Sequence, residues 1–357
     1  MDITTKPKCK ILCIDGGGVR GIIPCIILQE IERRLNKPIS SIFDLIAGTS
    51  TGGIIALGLT IPQADGTPKF TPAVLRDLYA KNGKQIFQKK FLKIITQFFS
   101  PGYSPDNLEA LLKQYFGDAE LKDVLTNVLV PALDTISNKP FYFLSRLAKD
   151  TTRQPSESFL MHDIGLSTTA APTYFPANNL NWGDKVLSLV DGGVFANNPS
   201  TLAFTEGVEL LKFKAFEAND SESNSPASPK TVDPVVLPDA DAIPFFLLSL
   251  GTGLTEDSIS LSDAKKYGML SWIIGGKIID LVMNGTSEST HYEMQYVLPD
   301  YPDGTKRYVR INPMLWKNHG YIDDTSDDNI NRVIDLGNQT VKDNSDLLDK
   351  VCERLQE

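Results

Sequence analysis

KILCIDGGGVRGIIPCIILQEIERRL (residues 10–35) and FDLIAGTSTGGIIALGL (residues 43–59) together decide the fold. In the first, Lys10 to Asp15 is a short apolar run that stops at three glycines, and from Gly21 onward Ile23, Ile26, Ile27, Ile31 and Leu35 recur on one helical face. That spacing predicts strand, turn, helix. The second stretch repeats it: Phe43 to Ala47 is strand-like, Gly48 to Gly53 forms a tight turn, and Ile54 to Leu59 continues as an apolar helix. Two strand-turn-helix units in succession predict an α/β fold, with a mostly parallel central sheet covered by helices.

Further strands are predicted at Val128 to Asp134, Val186 to Val190 and Phe245 to Leu250, the last running straight into Gly251-Thr252-Gly253. In open parallel sheets ligands bind beyond the carboxyl ends of the strands, where such glycine turns lie, so the site is expected there. Residues 215–242 are acidic and proline-rich and read as a surface insertion, since an apolar strand resumes directly after them. The expected organisation is one domain over 1–357, with a motif-bearing core at about 10–253 and a helical C-terminal part at 254–357.

The chain has 357 residues and 41% hydrophobic residues, enough for a sizeable core. With 35 Lys+Arg against 44 Asp+Glu, its net charge of -9 argues against a surface built to neutralise a nucleic-acid polymer. Cys9, Cys13, Cys25 and Cys352 have no paired C-x-x-C spacing and no neighbouring histidine, so neither a zinc site nor a disulfide framework is signalled. A reducing, cytoplasmic setting is expected, and no metal or cofactor is called for.

Gly48-Thr49-Ser50-Thr51-Gly52 has the G-x-S-x-G form between an apolar strand and an apolar helix. A serine on such a sharp turn is exposed to substrate, and the following helix N-terminus favours negative charge, which makes Ser50 the candidate nucleophile. On the pentapeptide alone, a purely structural turn competes with that reading. One strand earlier, Gly16-Gly17-Gly18 can turn successive backbone N–H groups into one cavity and hold the oxyanion of a tetrahedral intermediate. Arg20 then either anchors this loop or faces an anionic substrate. Gly16, Gly18 and Gly21 also fit the dinucleotide fingerprint G-x-G-x-x-G, but Asp44 precedes its strand instead of closing it, where a ribose would need an acid. Asp191-Gly192-Gly193 follows another strand, and a carboxylate pinned there can reach a serine at the end of a neighbouring strand. Asp191 is therefore the candidate base, against the ordinary role of an Asp that caps a turn.

DGGGVRGIIP, GTSTGG, the AAPTYFP of Ala170 to Pro176, DGGVFANNP and SLGTG occur in an order that resembles patatin-like phospholipases. The resemblance runs from about Lys10 to Gly253. It implies a three-layer α/β/α sandwich, hydrolysis of acyl esters of phospholipids or related lipids, a Ser50–Asp191 dyad, and an oxyanion hole at Gly16-Gly17-Gly18. It implies no metal, and it leaves room for a small-nucleotide or protein activator. A carboxylate of ordinary pKa, about 4, is a feeble base at neutral pH, so burial and oxyanion donors are expected to supply much of the acceleration. A Ser-Asp-His triad using His291 or His319 is the alternative within hydrolases, although neither histidine follows an apolar strand. A nucleotide binder, or a catalytically silent binding module, is the alternative outside them.

Two stretches bear on lipid access. In Gln85 to Phe99, Phe87, Phe91, Ile94, Ile95 and Phe98 share one helical face opposite Lys89 and Lys93, a pattern that suits either core packing or a peripheral, transient meeting with an anionic membrane surface. Met269 to Met283 is too short to span a bilayer and reads as core.

Overall fold

A computed structural model describes residues 6–86, 103–153, 155–220, 244–255, 265–266, 277–301, 303–315 and 322–357, with side chains omitted at 213–220, Thr255 and Lys277. Most of the Phe-rich stretch at 85–99, residues 269–276, His319 and the acidic insertion beyond 220 lie outside them.

Both strand-turn-helix units form as expected. Strand β1 (Cys9–Ile14) leads through a glycine turn to the helix Ile22–Leu35, and β2 (Leu45–Gly48) leads directly into the helix Thr51–Gly58. The remaining strands are β3 (Asn127–Asp134), β4 (Lys139–Leu144), β5 (Asn178–Trp182), β6 (Lys185–Asp191), β7 (Phe245–Leu250), the two-residue β8 (Leu254–Thr255), β9 (Tyr308–Ile311) and β10 (Met314–Leu315). Strands β3, β2, β1, β7 and β9 pair in that order, all parallel. The C-terminal part, expected to be helical, thus also supplies β9 to the main sheet, alongside the helices Lys277–Val297, Asp327–Asp343 and Ser345–Gln356.

Alternation along the parallel strands explains the layers. Leu12, Ile14, Ile46, Val128, Val130, Phe246 and Leu248 belong to one buried cluster with the helices Ile22–Leu35, Thr51–Gly58 and Pro72–Ile86. Their neighbours Ile11, Cys13, Leu45, Ala47, Leu129, Phe245 and Leu247 belong to a second, with Ala203, Phe204, Met294 and Leu298 from helices on the opposite face. A sheet buried on both faces needs apolar residues at nearly every position, which is why these strands read as unbroken apolar runs.

One element departs from the expectation. Strand β6 runs antiparallel to β3, and Asp191 lies opposite Ala132. Ala132 to Asp134 pair at once with β4 and β6, and Leu129 pairs at once with β4 and β2, so β2 and β6 occupy the same side of β3. Strands β2 and β6 therefore approach each other end to end. Ser50 and Asp191 do not come from neighbouring parallel strands; they come from two strand ends that point at one another along a shared partner.

Candidate active site

Ser50 occupies the turn between β2 and the helix Thr51–Gly58 with φ 55 and ψ -123, a left-handed conformation that costs a non-glycine residue of order 1 kcal/mol or more. The turn closes only because its glycines lack side chains. A Cβ on Gly48 would run into the Gly52 carbonyl, and one on Gly52 into the Ile14 carbonyl. The Ser50 N–H donates to Thr168 Oγ1 (3.0 Å), which in turn donates to the Pro131 carbonyl (2.9 Å). Thr49 Oγ1 donates to the Ala196 carbonyl (2.7 Å) and ties the turn to the Asp191 segment.

Asp191 is 2% exposed and Ser50 is 8% exposed. The Asp191 N–H donates to the Ala170 carbonyl (3.1 Å), which gives the Ala170 to Pro176 motif a structural role. Oδ1 accepts from the Gly193 N–H (2.7 Å), while Oδ2 is buried with no hydrogen-bond partner among the described residues. Burial pushes this carboxyl up from an ordinary 3.8 to about 7, against the opposing pull of the Ser50 hydroxyl and the Gly193 N–H. The hydroxyl is near enough to act on the carboxylate, although the pair does not meet hydrogen-bond geometry. Ser50 and Asp191 share one cavity, partly open to solvent and lined mainly by apolar groups, including Ile54, Leu108, Phe175 and Met283.

The Gly16-Gly17-Gly18 loop borders the same space. A Cβ added to Gly16 would sit 3.1 Å from Ser50 Cβ, and Gly18 lines the cavity. The Gly16 N–H is already spent on the Asn197 carbonyl (3.1 Å). The Gly17 and Gly18 N–H groups donate to no acceptor among the described residues. Gly18 has φ 57, and a side chain there would run into the Ile322 carbonyl.

The family pattern described as Patatin-like phospholipase matches residues 12–204, which takes in all three segments. The chain belongs to the patatin-like phospholipase family. It is 32% identical over 367 residues to "Patatin-like protein 2" of Oryza sativa subsp. indica, covering 97% of this chain and 85% of that protein. It is 29% identical to "Patatin-T5" of Solanum tuberosum, covering 93% and 83%. Among solved structures, that of VipD from Legionella pneumophila aligns with a TM-score of 0.38 and 13% identity, over 94% of this chain and 67% of that one. Membership in the family supports lipid acyl hydrolysis as the general class of function.

Other groups in this patatin-like chain fall into place around the site. Arg20 is buried, and its Nε donates to the Gly17 carbonyl (3.3 Å), the position of an anchor beneath the loop. Burial draws its pKa down, opposed first by the Asp280 carboxylate. Thr252 Oγ1, from the turn after β7, donates to the Gly16 carbonyl (2.6 Å). His291 is held by Tyr308 (3.1 Å) and Gln295 (3.3 Å) and is not among the residues lining the cavity. Asp44 accepts from the Lys10 N–H (2.9 Å), at the amino ends of the strands, and is in no position to hold a ribose at the loop.

Sequence reasoning missed the group that fixes Asp15, the residue leading into the glycine loop. Arg310 of β9 pairs with Asp15 through Nη2 (2.7 Å) and also donates from Nη1 to Ser249 Oγ (2.8 Å), while Ser287 Oγ donates to Asp15 Oδ2 (2.6 Å). Burial alone would lower the Arg310 pKa, but Asp15 and its other neighbours hold it above its ordinary value. Removing one member of so enclosed a pair leaves an uncompensated buried charge. Arg310→Leu is expected to lower stability by about 3–5 kcal/mol in chemical denaturation. A loss below about 1 kcal/mol would mean that Asp15 is not held by this contact.

Proposed function

We propose that the chain is a phospholipase A-type acyl hydrolase working through a Ser50–Asp191 dyad. What carries the proposal is a buried Asp191 carboxyl, its Oδ2 without a hydrogen-bond partner among the described residues, within reach of a serine on a strained turn at the wall of the same apolar cavity. Asp191 takes the Ser50 hydroxyl proton as Oγ attacks the ester carbonyl. The Gly16-Gly17-Gly18 loop receives the oxyanion, with the donors at Gly17 and Gly18, while Gly16 holds the loop to Asn197. Collapse of the tetrahedral intermediate breaks the ester C–O bond as Asp191 hands its proton to the leaving oxygen, which departs as the lysolipid alcohol, and water, deprotonated by the regenerated carboxylate, then releases the fatty acid. The apolar walls suit an acyl chain.

The substrate proposed is a glycerophospholipid met at a membrane surface, with the protein as a peripheral visitor. Among the described residues no helix is long and apolar enough to cross a membrane. All four cysteines are buried thiols outside any disulfide, in keeping with a reducing, cytoplasmic setting. We also read the chain as one domain, because β9 from its C-terminal part joins the sheet that β1 begins.

The pH profile tests this reading. Only ionised Asp191 can act as base, and burial raises its pKa, so activity is lost as pH falls through about 7, not through 4. On an uncharged ester, kcat/KM is expected to rise about tenfold per pH unit below 7 and to level off above it. Release of fatty acid and lysolipid in equal amounts from phosphatidylcholine vesicles should follow the same limb. A profile flat from pH 5 to 8 would contradict Asp191 as the base.

A further inference from the structure

Asn197 is buried at the turn after the short helix Gly193–Ala196, and the chemistry so far uses only its backbone. Its side-chain Oδ1 has no hydrogen-bond partner among the described residues. Among the buried side-chain acceptors left in this condition are Asp191 Oδ2, Thr51 Oγ1 and Asn197 Oδ1. Two glycines locate the last of these. A Cβ on Gly16 would run into Asn197 Oδ1 and lie 3.1 Å from Ser50 Cβ, while one on Gly193 would lie 3.1 Å from Asp191 Oδ1 and 3.3 Å from Asn197 Oδ1. Met283 Cε lies 3.3 Å and 3.2 Å from the same two points and closes the space with an apolar wall. The Ser50 side chain, the Asp191 carboxylate and the orphaned amide oxygen thus all pack around Gly16 and Gly193.

We propose that Asn197 orients the hydrolytic water, its Oδ1 accepting one O–H while Asp191 Oδ2 accepts the other. This rests on the Ser50–Asp191 reading. In deacylation the water oxygen attacks the acyl carbonyl and passes its proton to Asp191. The carbonyl carbon–Oγ bond then breaks, and the proton moves from Asp191 to Ser50 Oγ as the fatty acid leaves. With both hydrogens held, the water's lone pair is directed at the carbonyl carbon. Acylation does not need Asn197, because the serine hydroxyl has one hydrogen and Asp191 takes it.

The same difference in hydrogen count supplies the test. An alcohol that attacks the acyl-enzyme carries one O–H, which Asp191 accepts, so alcoholysis is indifferent to Asn197 whereas hydrolysis is not. With a p-nitrophenyl ester and added methanol, the ratio of methyl ester to free acid reports the partition of one acyl-enzyme. Asn197→Leu is expected to raise that ratio about tenfold, the worth of one hydrogen bond in the transition state, and to leave fluorophosphonate labelling of Ser50 within about twofold of wild type. If the leucine variant does not fold, Asn197→Ala serves, since the backbone carbonyl that holds Gly16 survives any substitution. An unchanged ratio in a variant that still labels would overturn the proposal. A wild-type protein that forms no methyl ester and takes no label at Ser50 would overturn the dyad, and this proposal with it.

Discussion

Ser50→Ala is expected to fold normally and to lose at least about 1000-fold in kcat, or roughly 4 kcal/mol of transition-state stabilisation. The substitution removes Oγ and nothing that holds the turn together. The bond to Thr168 comes from the Ser50 backbone N–H, and the close approaches belong to Gly48 and Gly52. A residue of activity should survive, since the loop donors and the apolar cavity still bind and polarise the ester. The backbone conformation supplies a control. Because φ is 55 at this position, Ser50→Gly should be as inactive as the alanine variant yet more stable by roughly 1 kcal/mol, having no Cβ to strain. Thermal denaturation beside an ester assay reads both effects, and an alanine variant with more than a tenth of wild-type activity would remove Ser50 from the chemistry.

Asp191→Asn is the second large effect, a fall in kcat of about 100- to 10,000-fold, the usual worth of a general base. The substituted side chain has nearly the same shape and can still accept from the Gly193 N–H, so the loss reports proton transfer and not collapse of the turn. Stability should move the other way. The folded-state pKa of Asp191 is raised, to about 7 from 3.8, so its contribution to stability is fully present below about 4 and is lost as pH climbs to 7. Asparagine carries no such penalty. The variant is therefore expected to melt above wild type at pH 8, with the gap closing towards pH 4. A variant less stable than wild type at pH 8 would mean that the carboxylate is better solvated or better paired than its surroundings indicate.

The residues on which these expectations rest were unevenly legible in the sequence. Apolar runs ending in glycines disclosed β1, β2 and β7, because a strand buried on both faces leaves a continuous apolar signature. Ser50 and Asp191 were legible for a related reason: each sits in a motif whose glycines are demanded by close backbone approach. The direction of β6 was not. Lys185 to Asp191 alternates in the same way whichever way it runs, and only its pairing with Ala132 to Asp134 shows that it meets β2 end to end. The short β9 was missed because four residues of mixed polarity, YVRI, carry little periodicity, and with it went Arg310, which meets Asp15 from 295 residues away. The spent N–H of Gly16 and the raised pKa of Asp191 are properties of tertiary neighbours and of burial, neither of which local spacing encodes.

The acyl-enzyme can be trapped and its site read. Wild-type protein mixed with an excess of p-nitrophenyl ester, quenched in acid within its first turnovers and digested for mass spectrometry, should carry a single acyl group, on the peptide containing Ser50, and Ser50→Ala should carry none. Continued ester hydrolysis without that adduct, or an adduct that persists on another residue when Ser50 is alanine, would rule out Ser50 as the nucleophile.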